Sequence, residues 1–126
     1  MRILVDTQIF LWWDWGAPAL EPILRAALTD ADNEVFVSAA SVWEIAIKQR
    51  LGKLAFAHEI VAAIGRNGFS TLPILPHHAE RAGGLPLHHR DPFDRMLVAQ
   101  AMLEQMVLGT QDRRLRLYDI PLLGGE

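Results

Sequence analysis

The sequence predicts an α/β fold built on a buried parallel sheet. Two short apolar runs rich in β-branched residues, 3–5 and 35–37, lack the polar alternation of a half-exposed strand. Amphipathic helical segments separate such runs along the chain. Strands that alternate with helices form right-handed βαβ units, so we expect a parallel sheet covered by helices on both faces.

The composition indicates one globular domain, 1–126. The 126 residues are 51% hydrophobic, carry a net charge of −3 and include no cysteine. A chain of this length buries a substantial core, and the lack of cysteine excludes disulfides and thiolate metal sites. The apolar runs are too short for a membrane span, and no signal peptide is visible. We therefore expect a cytoplasmic protein with no membrane partner, and its charge argues against general coating of nucleic acid.

The first half of the chain predicts two strands and four helices. Thr7, Pro18 and Gly52 supply start and stop signals for the helices. The predicted order is a strand at 3–5, helices at 8–15 and 17–28, a strand at 35–37, and helices at 41–51 and 58–65.

The second half predicts three further strands. The run 69–75 contains Pro73, which confines it to a sheet edge. A short helix at 76–82, a longer one from Pro92 to about Gln105, a strand at 106–110, a helical turn at 112–117 and a short strand at 120–123 complete the order.

The helix that starts at Pro92 carries an acid on its apolar face. Asp91 is a good N-cap, and proline is favoured at the first helical position. Steps of three, four and seven residues from Asp94 reach Leu97, Val98 and Ala101, so Asp94 heads the inward face. A carboxylate directed at a core is unfavourable unless a partner satisfies it.

Four acids are expected at one edge of the sheet, where parallel α/β folds bind ligands. Asp6 and Asp112 follow predicted strands, and Glu44 and Asp94 lie in the first turns of helices. Clustered carboxylates repel one another unless a cation neutralises them, and oxygen ligands suit Mg²⁺ or Mn²⁺. Water activated by such an ion can attack a phosphodiester, with a second ion able to stabilise the leaving oxygen.

Local structure offers another explanation for most of these acids. Asp91 and Asp112 fit N-caps, and Asp6 fits a turn residue at a strand end. Glu44 stands three residues after Ser41, which is the spacing of a capping box. Asp94 is the hardest to explain in this way, and capping is compatible with binding a metal.

The chain resembles PIN-domain proteins of the VapC-type toxin branch over nearly its whole length. The matching segments are MRILVDTQIFLWW, VSAASVWEIAIKQRLGKL, DPFDRMLVAQA and VLGTQD. The resemblance implies a three-layer α/β/α sandwich with a sheet of about five parallel strands. It also implies a Mg²⁺- or Mn²⁺-dependent endoribonuclease toxin, paired with a VapB-like antitoxin.

By motif position, the resemblance makes Asp6, Glu44, Asp94 and Asp112 the catalytic, metal-binding acids, and Thr110 a hydroxyl that orients an acid or water. Gln8 departs from the Asn, Ser or His of many members, and Gln111 is also not the commonest choice.

Basic residues adjoin these acids in the sequence. Lys48, Arg90, Arg95 and Arg113 are candidates for holding RNA phosphates, as are Arg114 and Arg116. They are otherwise solvated surface residues or partners of the acids. The pair His88 and His89 either lies exposed in a loop or assists RNA binding and proton transfer.

Tryptophans form a second feature, with four in the chain. Trp12 and Trp13 are adjacent and cannot both face one core, so together with Trp43 they are candidates for an apolar antitoxin groove. Core packing is the alternative. We also expect a homodimer.

Two other functions compete with the ribonuclease. A haloacid-dehalogenase-like phosphatase needs a second aspartate two positions after Asp6, where this chain has Gln8. A catalytically silent PIN module that binds RNA or acts as a scaffold would lack one of the four acids, and all four are present.

Overall fold

A computed structural model describes residues 1–126 and contains one five-stranded, fully parallel sheet. The strands are β1 (Arg2–Val5), β2 (Glu34–Ser38), β3 (Ser70–Leu72), β4 (Val107–Gly109) and β5 (Leu122–Leu123). Their spatial order is β3-β2-β1-β4-β5, which confirms the predicted parallel sheet and the edge position of the strand next to Pro73.

Six α-helices connect these strands. They are α1 (Thr7–Trp15), α2 (Pro22–Thr29), α3 (Ala39–Arg50), α4 (Ile60–Arg66), α5 (Pro76–Gly84) and α6 (Pro92–Glu104), and a 3₁₀ helix spans Arg113–Leu117. None of these helices has the length and apolar character that crossing a bilayer requires.

Alternate residues of β1 supply the two halves of the core. Ile3 and Val5 pack on one face of the sheet with residues of α1, α2, α3 and α4. Leu4 faces the opposite side and packs with residues of α5 and α6 and with Tyr118. All three β1 residues are fully buried, so helices cover both faces and the fold is the predicted three-layer sandwich.

The chain reverses its direction of travel across the sheet between β1 and β4. It moves outward from β1 to β2 and β3, and then returns to add β4 and β5 on the other side of β1. The backbone N–H of Asp6 donates to the carbonyl of Gly109 over 2.9 Å, which joins the ends of the two central strands. Ligands of α/β sheets bind beside such a switch point, at the carboxyl ends of the strands.

Several predicted helix starts were wrong by a few residues. Helix α2 begins at Pro22 instead of residue 17, because α1 ends at Gly16 in the left-handed region with φ 63° and residues up to Glu21 form a turn. Helix α4 begins at Ile60, two residues later than predicted. The cap of α1 is Asp6 and not Thr7, because the Asp6 carboxylate accepts from the N–H of Ile9.

Helix α3 begins earlier than predicted. Its N-cap is Ser38, whose hydroxyl accepts from the N–H of Ala40, so Glu44 stands in the second turn and not the first. The Ser41–Glu44 capping box is therefore absent. By contrast, the cap of α6 is confirmed, since the Asp91 carboxylate accepts from the N–H groups of Phe93 and Asp94.

Candidate active site

All four predicted acids line one cleft at the carboxyl ends of β1 and β4. The cleft has a volume of about 320 Å³. Its walls are Asp6, Thr7, Gln8, Ile9, Leu11, Trp12, Glu44, Lys48, Asp91, Asp94, Gln111 and Asp112. Residues far apart in the chain therefore meet where the strand order places a ligand site.

Asp6 holds the deepest position in the cleft. One carboxylate oxygen caps α1 by accepting from the N–H of Ile9 over 2.8 Å, and the other accepts from the Thr110 hydroxyl. The Thr110 oxygen in turn accepts from the N–H of Asp112 over 3.0 Å. Burial raises the pKa of Asp6 to about 6 although both hydrogen bonds favour its ionised form. Thr110 thus links two of the acids.

Glu44 reaches the cleft from α3 and is already paired. The Thr7 hydroxyl donates to its Oε1 over 2.6 Å, and the Lys48 ammonium donates to its Oε2 over 2.8 Å. Lys48 stands one turn further along the same helix, and its hydrogen bond to Glu44 raises the pKa of the lysine. Ser41 lies behind this group, with its hydroxyl oxygen 2.8 Å from that of Thr7.

Asp94 is the acid with the most perturbed pKa. Burial, followed by the charges of Asp91, Asp6, Glu44 and Asp112, raises the pKa of Asp94 to about 8. Its side chain is 19% exposed and faces the cleft, in line with its predicted inward direction. A nearby cation would therefore lower the pKa of this carboxyl and favour its ionised form.

Asp112 differs because cations and donors surround it. It caps the 3₁₀ helix by accepting from the N–H of Arg114, and the Arg114 guanidinium contacts both of its oxygens at 3.1 and 3.0 Å. Burial alone would raise the pKa of Asp112, but the hydrogen bonds from Arg114 and His89 outweigh it and lower the pKa to about 2.

His89 is the main site residue to which the sequence assigned no definite role. It is 5% exposed, and its Nε2 lies 3.0 Å from Oδ2 of Asp112 and 3.1 Å from Oδ2 of Asp94. His88, its neighbour, is exposed and packs edge-on against the ring of Tyr118. The two histidines therefore separate into one buried in the site and one at the surface.

Arg95 does not hold substrate phosphates as predicted. It is 8% exposed, and its guanidinium donates to carbonyl oxygens at the end of α5 and in the segment between α5 and α6. The acceptors are Ala82, Gly83, Leu85, Pro86 and His89, at 2.9 to 3.4 Å. Because its donors are used by these carbonyl oxygens, Arg95 stabilises the loop and is not a candidate for binding substrate phosphates.

The other predicted cations remain at the surface. Arg90 and Arg113 are exposed, and Arg113 donates to the carbonyl of Glu126 over 3.2 Å. The ammonium of Lys48 reaches the cleft but is paired with Glu44. Lys48 and Arg114 therefore contact the site acids, whereas Arg90 and Arg113 are close to them only in the sequence.

The three tryptophans that were predicted to form one groove lie in separate parts of the structure. Trp12 lines the acidic cleft, whereas Trp13 packs on Phe69 with ring centres 5.8 Å apart and donates to Asn67. Trp43 is 63% exposed and borders an apolar groove of about 530 Å³ beside the edge strand β3. Only Trp43 therefore stays a groove candidate; Trp12 and Trp13 lie elsewhere because α1 packs against the core.

The donor set of the cleft fits a hard divalent cation. Four carboxylates from four elements converge there, and burial together with the charges of neighbouring carboxylates raises the pKa values of Asp6 and Asp94. Carboxylate oxygens are the preferred ligands of Mg²⁺ and Mn²⁺. Lys48 and Arg114 offset only part of this charge, on Glu44 and Asp112.

Comparisons with known proteins agree with this geometry. The PIN domain profile matches residues 3–121. Ribonuclease VapC22 of Mycobacterium tuberculosis is 30% identical over 122 residues, which cover 94% of this chain and 93% of the relative.

Solved structures share the fold. VapBC2 from Rickettsia felis, bound to a promoter DNA fragment, aligns with a TM-score of 0.69 and 13% identity over 97% of each chain. VapBC-1 from nontypeable Haemophilus influenzae aligns with a TM-score of 0.68 and 17% identity, covering 99% of this chain and 98% of that one. The predicted fold and family are thus confirmed, and the chain belongs to the PIN domain family, among its VapC proteins.

Proposed function

We propose that this domain is a metal-dependent endoribonuclease and the toxin of a toxin–antitoxin pair. The observation that carries the proposal is the convergence of Asp6, Glu44, Asp94 and Asp112 on one cleft, with burial and mutual repulsion raising the pKa of Asp94 to about 8. A relative 30% identical over most of the chain is a ribonuclease. A site that binds a cation through acids suits the cleavage of a phosphodiester.

Asp6, Glu44, Asp94 and Asp112 would hold Mg²⁺ or Mn²⁺. Such an ion supplies Lewis-acid chemistry: it neutralises phosphate charge and makes water a better nucleophile near neutral pH. Thr110 keeps Asp6 oriented by donating to one oxygen while the other caps α1. Asp91 adds a further negative charge beside Asp94 while it caps α6.

Cationic side chains near the cleft would bind the RNA backbone. Lys48 pairs with Glu44, and Arg114 pairs with Asp112. With a metal ion bound to these acids, each cation would be available to contact a phosphate. Arg90 and Arg113 lie exposed nearby in sequence and extend this positive surface. Phosphate contacts position the substrate without reading its bases.

We further propose that the partner is a VapB-like antitoxin and that the Trp43 groove receives part of it. Structural relatives are described as VapBC and toxin–antitoxin complexes. The groove is lined mainly by apolar side chains of α3 and by Leu72 and Pro73 beside the sheet edge. Exposed apolar surface of this kind marks interfaces. We also propose that the protein forms a homodimer. We place the single domain, 1–126, in the cytoplasm with its RNA substrate.

The test is cleavage of total RNA by the purified protein with Mg²⁺ or Mn²⁺, with cut sites mapped. Asp6→Asn keeps the size and capping ability of the side chain but removes its charge, so we expect activity to fall by at least about 100-fold. Glu80→Gln, on the exposed face of α5, is the matched control and should cleave like the unmodified protein. Equal activity of Asp6→Asn would refute the mechanism.

The same assay separates the alternatives. Metal-dependent hydrolysis of a small phosphate ester without cleavage of RNA would favour a phosphatase. RNA binding without cleavage would indicate a silent PIN module. For the partner, Trp43→Ala should weaken binding to the small protein encoded by the neighbouring reading frame, and unchanged affinity would remove the groove proposal.

A further inference from the structure

The segment between α5 and α6 inserts a buried histidine between two of the site acids. The Nε2 of His89 lies 3.0 Å from Asp112 and 3.1 Å from Asp94. Asp94 belongs to α6, whereas Asp112 follows β4, so one imidazole touches acids carried by two separate elements. This residue lies outside the set proposed above to hold the metal.

Hydrogen bonding defines which ring nitrogen carries the proton. The backbone N–H of Asp91 donates to Nδ1 of His89 over 3.1 Å. A backbone N–H can only donate, so Nδ1 must present its lone pair and the neutral ring carries its proton on Nε2. An Nε2–H has no lone pair for a cation. His89 therefore donates to Asp112, with Asp94 3.1 Å from the same nitrogen, and is not a metal ligand.

A second buried histidine has the same hydrogen-bond pattern without the same consequence. The N–H of Leu75 donates to Nδ1 of His78, and Nε2 of His78 lies 2.7 Å from Glu104. Its Nε2 has only this one acid partner, which comes from α6, so it fastens the start of α5 to a neighbouring helix. Only His89 joins two acids that line the cleft.

The backbone of His89 is held on both sides. Its N–H donates to the Tyr118 hydroxyl over 3.2 Å, and its carbonyl accepts from Arg95 over 3.3 Å. The Tyr118 hydroxyl donates to the carbonyl of Pro86 over 2.6 Å, and Arg95 binds the same carbonyl over 3.0 Å. Because these contacts fix the loop, the imidazole occupies one place between the acids.

We propose that His89 is a positioning residue that holds the Asp94 and Asp112 carboxylates together so that both bind one divalent cation. The proposal rests on the proposed function, since it concerns the same acids. An N–H placed between the two carboxylates would offset part of their repulsion and fix the oxygens that face it, so that both acids stay beside the site of the cation. Arg95 and Tyr118 act through the loop that carries this histidine.

Two substitutions separate this role from simple loop packing. His89→Gln places an amide N–H near the position of Nε2 and keeps the donor to the acids. His89→Asn keeps an acceptor near Nδ1 for the Asp91 N–H but is too short to reach the acids. The positioning role predicts that His89→Gln binds Mn²⁺ more tightly than His89→Asn. A role in loop packing alone predicts the reverse order.

The measurement is Mn²⁺ affinity of the full chain by titration calorimetry, without RNA, with circular dichroism to verify folding. We expect His89→Gln to bind within about threefold of the unmodified protein and His89→Asn about 10- to 100-fold more weakly. The control is His58→Gln, at an exposed histidine that lines a separate pocket with Val42 and Gln49, and it should bind Mn²⁺ normally.

Pulsed electron paramagnetic resonance on bound Mn²⁺ gives a second readout. We expect no directly coordinated nitrogen. Nitrogen coordination, equal affinity of both variants, or tighter binding by His89→Asn would overturn the proposal. Failure of the unmodified protein to bind Mn²⁺ would instead refute the proposed metal site itself, and with it the positioning role.

Discussion

Replacing Asp94 with asparagine is expected to stabilise the metal-free protein near neutral pH and to abolish its activity. Burial and the neighbouring carboxylates raise the pKa of Asp94 from 3.8 to about 8. An acid whose pKa is higher in the folded than in the unfolded state contributes its full stability below the unfolded-state pKa. That contribution is lost as the pH rises toward the folded-state pKa, here between about pH 4 and pH 8.

The magnitude follows from the size of this shift. At pH 7.5 the ionisation of Asp94 in the unfolded chain corresponds to a ceiling of about 5 kcal/mol, at 1.36 kcal/mol per pKa unit. The side chain is 19% exposed, so water and salt weaken the repulsion. We therefore expect the free energy of unfolding to rise by about 2–3 kcal/mol, which raises Tm by roughly 6–12 °C in a domain of this size.

The assay is urea unfolding with a chelator present, at several pH values from 4 to 8.5. The difference between Asp94→Asn and the unmodified protein should be near zero at pH 4 and grow as the pH rises, while Glu80→Gln should show no such trend. Saturating Mn²⁺ should favour the unmodified protein, because only an intact site gains binding energy. A difference independent of pH, or a less stable variant at pH 7.5, would refute the reasoning.

Three further substitutions test other parts of the site. Thr110→Val removes a donor to Asp6 and leaves the Asp112 N–H without its acceptor. The substitution should therefore lower the free energy of unfolding by about 1–3 kcal/mol, measured with urea. It should also raise the pH midpoint of Mn²⁺ binding, and an unchanged midpoint would contradict this. Arg95→Gln should lower the free energy of unfolding by about 1–3 kcal/mol, because buried carbonyls lose a charged donor; a loss well below 1 kcal/mol would show that the loop does not depend on it. Arg114→Gln should raise the pKa of Asp112 from about 2 toward its usual range, as followed by carboxyl NMR. Stability from Asp112 is present above its unfolded-state pKa and is lost as the pH falls through about 2, so the variant should have a smaller contribution and lose less stability on acidification.

The strands and α6 were predictable because local and tertiary signals agree there. Continuous β-branched runs mark β1 and β2, and the Asp91-Pro92 pair starts α6 where a cap and a first-turn proline are both favoured. The start of α2 was not predictable from local signals, since either Pro18 or Pro22 fits a first turn.

A contact distant in the sequence decides between those two prolines. The side chain of Gln111 accepts from the N–H of Glu21 over 2.9 Å and donates to the carbonyl of Ala19 over 3.1 Å. These hydrogen bonds hold residues before Pro22 in a turn, and only then can the helix begin. No pattern within the segment itself contains this information.

The site acids were predictable from the rule that ligands gather at strand ends, but His89 and Arg95 were not. Both lie in a polar stretch that predicts an exposed segment. Their burial depends on the fold of the loop before α6. One signal was available for Arg95. Residues 96–99 and 101–103 are apolar with only Gln100 between them, and a helix that is apolar nearly all round is buried, which leaves little surface for an arginine within it.

The structure confirms capping by Asp6 and Asp112, and the two oxygens of each carboxylate make capping compatible with the proposed metal role. Asp6 caps α1 with Oδ1 and presents Oδ2 to Thr110, and Asp112 caps the 3₁₀ helix while its Oδ2 faces His89. Capping fixes the side-chain conformation before any cation arrives, and a helix N-terminus favours a nearby negative charge. Glu44 has no such cap and depends on Thr7 and Lys48 instead. These contacts therefore hold the acids in place in the metal-free chain, and under the proposed function a divalent cation would relieve the repulsion between them.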